Sequence, residues 1–210
     1  MADDFETPEK NQEYERIFRE VFNQAVVPFY WRDDEPEQGK WRFEKDSPYI
    51  YRRPPAEVTL DFCRRTGAEP KGHNLIWQNP SIGLPKWWSD DKRLCQILID
   101  KRIKLLASRY AEQIPVWDVT NEVTDAGGIG KMPKDFDLKA YQLAAQEFPY
   151  NHLIINDYAC FFDGKYHREA SALYQQVLRI TEAGGRIDGI GMQYHLFKRK
   201  MSLKIVQAGC

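Results

Sequence analysis

The sequence has 210 residues, 42% of them hydrophobic, which is enough for one sizeable core and unlike a disordered, collagenous or disulfide-stapled chain. Thirty basic residues against thirty-one acidic ones give a net charge of −1, with no footprint for nucleic acid and no polybasic signal for a membrane surface. The four cysteines, Cys63, Cys95, Cys160 and Cys210, lack metal-ligand spacing and read as free thiols.

The N-terminal stretch is acidic, has no charged-then-apolar secretory pattern, and is followed by no apolar run of membrane-spanning length. The chain as written is therefore expected to be soluble, and its compartment is left unassigned. Residues 1–13 form a polar segment. From Tyr14 the apolar residues Ile17, Phe18, Val21 and Phe22 recur at three- and four-residue spacing, which predicts an amphipathic helix with one buried face. Ala25 to Trp31 reads as a buried strand, followed by a polar turn. A helix is expected from Pro54 to Arg65, with Gly67 near its end, then a strand from Gly72 to Trp77.

Asp91 to Ala111 predicts a long helix whose Ile99, Ile103, Leu106 and Tyr110 share a face, and Val116 to Val119 a strand. A helix near Leu138 to Glu147, a strand at Leu153 to Ile155, a helix at Arg168 to Ala183 and a strand at Ile187 to Met192 complete the series. Short apolar strands alternating with helices imply parallel βαβ units. An open doubly wound sheet predicts a glycine-rich phosphate loop, and neither GxGxxG nor GxxxxGK[ST] occurs. A (β/α)8 barrel predicts reactive residues at the C-terminal ends of several strands. The polar residues of His73 to Gln78, Asn121-Glu122, Asn156-Asp157-Tyr158 and Gln193 to His195 fit that expectation.

In VWDVTNE, Val116 to Glu122, an apolar strand runs straight into an amide and a carboxylate. A carboxyl pinned at such a tip can have its pKa raised by desolvation and act as a general acid; the plain alternative is a solvated loop start. His73 and Trp77 in KGHNLIWQ, taken alone, read as core residues. Together the motifs resemble glycoside hydrolase family 10, the endo-β-1,4-xylanase family. Gly72, His73, Leu75 and Trp77 match its third-strand run, and Leu84 to Trp88 its Leu-Pro-x-Trp. Ile155 to Ala159 match its fifth strand and Ile187 to Leu196 its sixth. The resemblance covers Tyr14 to Leu196.

It implies an incomplete (β/α)8 TIM barrel of about five βα units over residues 14–196, corresponding to family strands 2 to 6, with 197–210 as a basic tail outside the pattern. It also implies a retaining hydrolase of xylan-like β-1,4-linked polysaccharide that needs no cofactor or metal. Glu122 would be the acid/base and Asn121 the amide that binds the 2-hydroxyl. His73 and Trp77 would contact and wall the same sugar, Tyr158 would line the leaving-group side, and Gln193 and His195 would support the nucleophile. That nucleophile, expected on a seventh strand, is absent: the residues after Leu196 include no glutamate or aspartate. Glu182 lies in a predicted helix before the sixth strand, and neither Asp118 nor Asp157 matches the family nucleophile.

A fragment of this kind is expected to be nearly inactive alone and to offer unpaired strand edges for self-association. Val27, Pro28, Phe29 and Tyr30 replace the acidic, amide and lysine residues usual before the tryptophan of the second strand, and Gln78 stands where many members carry histidine. These departures point to a decorated xylan or another β-linked glycan. A carbohydrate-binding barrel piece and a glycosidase of a related barrel family are the competing readings.

Overall fold

The computed structural model describes residues 7–124, 128–158 and 171–193. Helix α1, Pro8–Val21, starts earlier than the apolar periodicity, because Thr7 caps it by accepting from the Lys10 N–H and proline occupies the first turn. Its expected buried face is not buried. Tyr14 and Phe18 are half-covered by Phe62, with ring centroids 5.9 and 5.0 Å away, whereas Ile17, Val21 and Phe22 are exposed. The helix packs mainly on α3, Ala56–Thr66, which reaches only one side of its apolar stripe.

Strand β1, Gln24–Pro28, is shorter than its apolar run. Beyond Pro28 the chain bends into the single turn α2, Trp31–Asp34, so Trp31 heads a helical turn and does not end a strand. Helix α3 follows Pro54-Pro55 and stops at Gly67, whose φ of +74° is the left-handed C-cap that glycine adopts without strain. The series continues with β2, Glu69–Ile76, and α4, Lys92–Tyr110, which Asp91 caps at its start. Next come β3, Val116–Asn121, α5, Phe136–Glu147, and β4, His152–Asp157. Helix α6, Ala172–Glu182, and β5, Gly189–Met192, close it.

All four strand pairings are parallel and the order is β1-β2-β3-β4-β5, each strand beside its sequence neighbours. A doubly wound sheet would reverse direction at a switch point. Unreversed order is the winding of a barrel wall, and five parallel strands in that order make an arc of one. Among the described residues β1 and β5 pair on one side only.

Phe29, Leu75, Ile99, Ile103, Leu106, Trp117, Tyr141 and Phe148 are almost wholly buried in one cluster. Gly72 lies against Trp117 so closely that a Cβ there would sit 2.3 Å from the indole, which is why β2 has a glycine at the register partner of Trp117. Cys63 and Cys95 are buried free thiols, whereas Cys160 and Cys210 lie outside the described residues. Among the described residues no helix is long and apolar enough to cross a membrane.

A charged pair is buried against this apolar core. Arg102 of α4 is fully buried and donates from Nε to the Leu75 carbonyl at 2.8 Å, and from Nη2 to the Phe29 carbonyl at 2.7 Å and to Asp34 Oδ2 at 3.0 Å. Burial raises the Asp34 carboxyl and lowers the Arg102 guanidinium from their ordinary values, while the opposite charge of each partner works against both shifts. Removing one member of such a pair strands the other. Arg102→Met is expected to lower unfolding stability by about 3–5 kcal/mol. Urea titration should show the double variant Arg102→Met/Asp34→Asn to be less destabilised than the single one.

Candidate functional site

The C-terminal ends of β2 to β5 bring together most of the residues expected from the sequence. Asn121 closes β3 and is 1% exposed, and its Oδ1 accepts from Asn156 Nδ2 at 2.6 Å and from Gln193 Nε2 at 3.0 Å. Asn156 comes from β4 and Gln193 follows β5, where its own N–H donates to the Asp157 carbonyl at 3.2 Å. Three adjacent strands thus meet at one amide oxygen. Gly191 of β5 makes room for this, because a Cβ there would lie 2.5 Å from Asn156 Oδ1.

Glu122 follows Asn121 with φ of +53°, a left-handed conformation that is uncommon for a residue with a side chain. The surrounding structure holds both of its backbone polar groups. Its N–H donates to the Asn156 carbonyl at 2.9 Å, and its carbonyl accepts from Gln78 Nε2 at 2.7 Å. Gln78, where many family members have histidine, is buried and fixes the backbone of the very carboxylate the sequence singles out. Gly128 permits this approach, since a Cβ on it would collide with the Gln78 carbonyl oxygen. Strain that persists because neighbours over-determine it is concentrated at functional sites.

His73 lies on β2 with Nδ1 2.7 Å from Asp118 Oδ2, and Lys71 Nζ stands 2.9 Å from Asp118 Oδ1. Asp118 is itself buried on β3, so the three charged or titratable groups bridge two strands. Alternation alone would put Asp118 and Thr120 on one face. The β2–β3 and β3–β4 registers both shift in this stretch, and Thr120 Oγ1 meets the Tyr141 hydroxyl of α5 while Asp118 meets β2.

Trp77 follows β2 and leans on Tyr30, centroids 5.8 Å apart, while His73 meets the same tyrosine edge-on at 5.8 Å. Burial raises the Tyr30 phenol; Arg53 opposes the rise, and the charges of Glu122, Asp33 and Asp118 add to it, placing Tyr30 within the field of Glu122. Tyr158 follows β4, its N–H bonded to its neighbour's Asp157 Oδ1 at 2.7 Å. His195 lies outside the described residues, as does the segment after it.

Asn156 is legible in the sequence as a strand-end polar residue, but nothing in the spacing shows that it shares an acceptor with Gln193. Asp118, Lys71 and Tyr30 carry no sequence signal for the contacts that link them to His73, because those contacts join different strands and loops. Glu182 ends α6 and is exposed. In parallel βαβ winding that is the rim of strand starts, opposite Glu122.

Asn121→Leu leaves the Asn156 and Gln193 amides without their shared acceptor in a buried place. It is expected to cost about 1–3 kcal/mol of stability, measured by urea unfolding, with Asn121→Asp costing less because it keeps an acceptor there.

The family model for glycosyl hydrolase family 10 matches residues 3–209. An endo-1,4-beta-xylanase/feruloyl esterase of Xylanibacter ruminicola is 28% identical over 209 residues, covering 85% of this chain and 26% of that protein. Endo-1,4-beta-xylanase B of Thermotoga neapolitana is 28% identical over 200 residues, with 88% of this chain and 52% of the relative covered. The structure of xylanase 10B from Thermotoga petrophila in complex with xylobiose superposes with a TM-score of 0.69 at 24% identity, over 92% of this chain and 58% of that one. The chain therefore spans between about a quarter and a half of the length of these curated relatives. The superposition speaks to the fold and makes the five-stranded arc part of a (β/α)8 barrel. With the family model matching nearly the whole sequence, over the same motifs that converge at the ends of β2 to β5, the chain belongs to glycosyl hydrolase family 10.

Proposed function

We propose that this chain forms the acid/base-bearing part of a retaining glycoside hydrolase that cleaves internal β-1,4 bonds of xylan or a similar plant polysaccharide. The observation that carries the reading is Glu122 itself: a carboxylate at the tip of β3, in left-handed backbone, with its N–H and C=O both tied down by Asn156 and Gln78. A carboxyl carried on so constrained a backbone is placed to protonate the leaving oxygen and then to take a proton from water.

Asn121 complements it. With Asn156 and Gln193 both donating to Oδ1, the amide is oriented so that Nδ2 is the group presented to the 2-hydroxyl of the sugar, a contact that tightens in the oxocarbenium-like transition state. His73, held by Asp118, and Trp77, backed by Tyr30, supply a polar contact and an apolar wall for the same sugar. Tyr158 and Gln193 extend the contacts, and His195 joins them in the family pattern. Direct carboxyl catalysis calls for neither metal nor organic cofactor.

Retention also needs a second carboxylate about 5–5.5 Å from the first. Among the described residues Asp118 is engaged by Lys71 and His73, Asp157 accepts from Thr124, and Glu182 lies on the opposite rim. None of these three is assigned as the nucleophile.

The 210-residue chain is accordingly expected to bind xylo-oligosaccharides while releasing little reducing sugar from xylan. Calorimetric titration with xylotetraose should show binding that weakens about tenfold in Trp77→Ala, from loss of the apolar wall. In any form of the chain that does hydrolyse xylan, Glu122→Gln should lower kcat/KM by about 10²-fold or more. Undiminished hydrolysis in that variant, or failure of the chain to bind xylotetraose, overturns the reading.

A further inference from the structure

The open side of β1 is continuous with the uncovered side of α1. The Asn23 carbonyl accepts from the Glu69 N–H at 2.8 Å and the Phe29 N–H donates to the His73 carbonyl at 2.6 Å, so the odd-numbered residues of this stretch turn their backbone groups toward β2. Alternation aims those of Gln24, Val26 and Pro28 the other way, where among the described residues β1 has no neighbouring strand. Pro28 has no N–H to offer, so the edge presents the N–H groups of Gln24 and Val26 and the carbonyls of all three.

Beside that edge stand Ile17, Val21, Phe22 and Val26, between 45% and 64% exposed. A cleft of about 400 Å³ is lined by Tyr14, Phe18 and Phe22 from the side of α1, by Val26 and Pro28 from β1 and by Phe62 from α3. Native sheets blunt such edges with lysines or inward charges, and β1 carries neither. The charges flanking the face are already paired: Arg16 with Glu13 and Glu20, and Glu15 with both Arg19 and Arg65. Neutralised within one copy, they give no single-signed field to draw a strongly acidic or basic partner and none to repel a second copy.

We propose that this face joins two copies of the chain in an isologous dimer, with the β1 edges antiparallel across a two-fold axis and the apolar stripe of each α1 covered by the other copy. A row of alternating donors and acceptors is its own complement when turned through such an axis, because antiparallel neighbours exchange N–H and C=O bonds. The β5 edge is no equivalent surface: it is four residues long, two of them glycine, and shows one exposed large apolar side chain, Ile190. The face includes none of Glu122, Asn121, His73 and Trp77, so the association stands or falls separately from the glycan reading.

Sedimentation velocity of the 210-residue chain is expected to show a dimer at about 100 µM that dissociates to monomer towards about 1 µM. Val26→Lys places a charge on the open edge without touching the bonds to β2, and Val21→Lys places one on the stripe of α1; each should raise the dissociation constant about tenfold or more. Both positions are exposed in one copy, so far-UV circular dichroism of either variant at about 1 µM should match that of the parent chain. Tyr150→Lys, at an exposed site between α5 and β4, and Ile190→Lys, on the β5 edge, should leave the association unchanged. A chain that stays monomeric at about 100 µM, a dimer indifferent to both Val21→Lys and Val26→Lys, or growth beyond the dimer that Ile190→Lys halts, overturns the two-fold contact.

Discussion

The arrangement at the ends of the first two strands depends on one fully buried cation. Strand ends in a parallel sheet leave backbone carbonyls without partners, and a buried carbonyl must find a donor. Arg102 of α4 supplies it: the guanidinium reaches the carbonyls of Phe29 and Leu75, takes Asp34 as its counter-ion, and lies 4.9 Å from the Trp31 ring centroid. One side chain thus sets where β1 gives way to α2 and where β2 approaches Trp77. Because Tyr30 falls between Phe29 and Trp31, the aromatic wall against His73 and Trp77 is positioned by a helix on the far side of the sheet.

Beyond that wall the site is built from neutral dipoles near its centre and charges around it. Asn121, Asn156, Gln193 and Gln78 form an amide cluster in which each named contact is a neutral hydrogen bond. Such groups suit a polyhydroxylated ligand, since each can trade a bond with water for one with a hydroxyl at small net change. Asp118 is a buried charge, and Lys71 and His73 flank it. Its role is internal: a carboxylate 2.7 Å from His73 Nδ1 fixes the orientation of the ring.

The same economy of contacts explains the glycines. Gly72 faces Trp117, Gly191 faces Asn156, and Gly128 faces the Gln78 carbonyl, each at a distance that no Cβ tolerates. None of these glycines carries chemistry. Gly72 lets Trp117 fill the core, while Gly191 and Gly128 let Asn156 and Gln78 come close enough to hold Asn121 and Glu122.

The sequence by itself determined the order and type of the elements apart from the short helical turn α2, because apolar periodicity and caps such as Asp91 and Gly67 are local and survive without knowledge of the fold. It also singled out Asn121, Glu122, His73, Trp77 and Gln193, since their motifs are contiguous in the chain. Tertiary structure decided what periodicity cannot carry. Whether the apolar stripe of α1 is covered depends on what packs against it, and α3 covers only Tyr14 and Phe18. The register shift between Asp118 and Thr120 sends one to β2 and the other to α5, although period-two alternation would have paired them on one face. The meeting of Asn121 with Asn156 and Gln193, of Gln78 with Glu122, and of Tyr30 with Arg53 joins residues far apart in sequence, and only the parallel winding of the strands brings their ends to one rim.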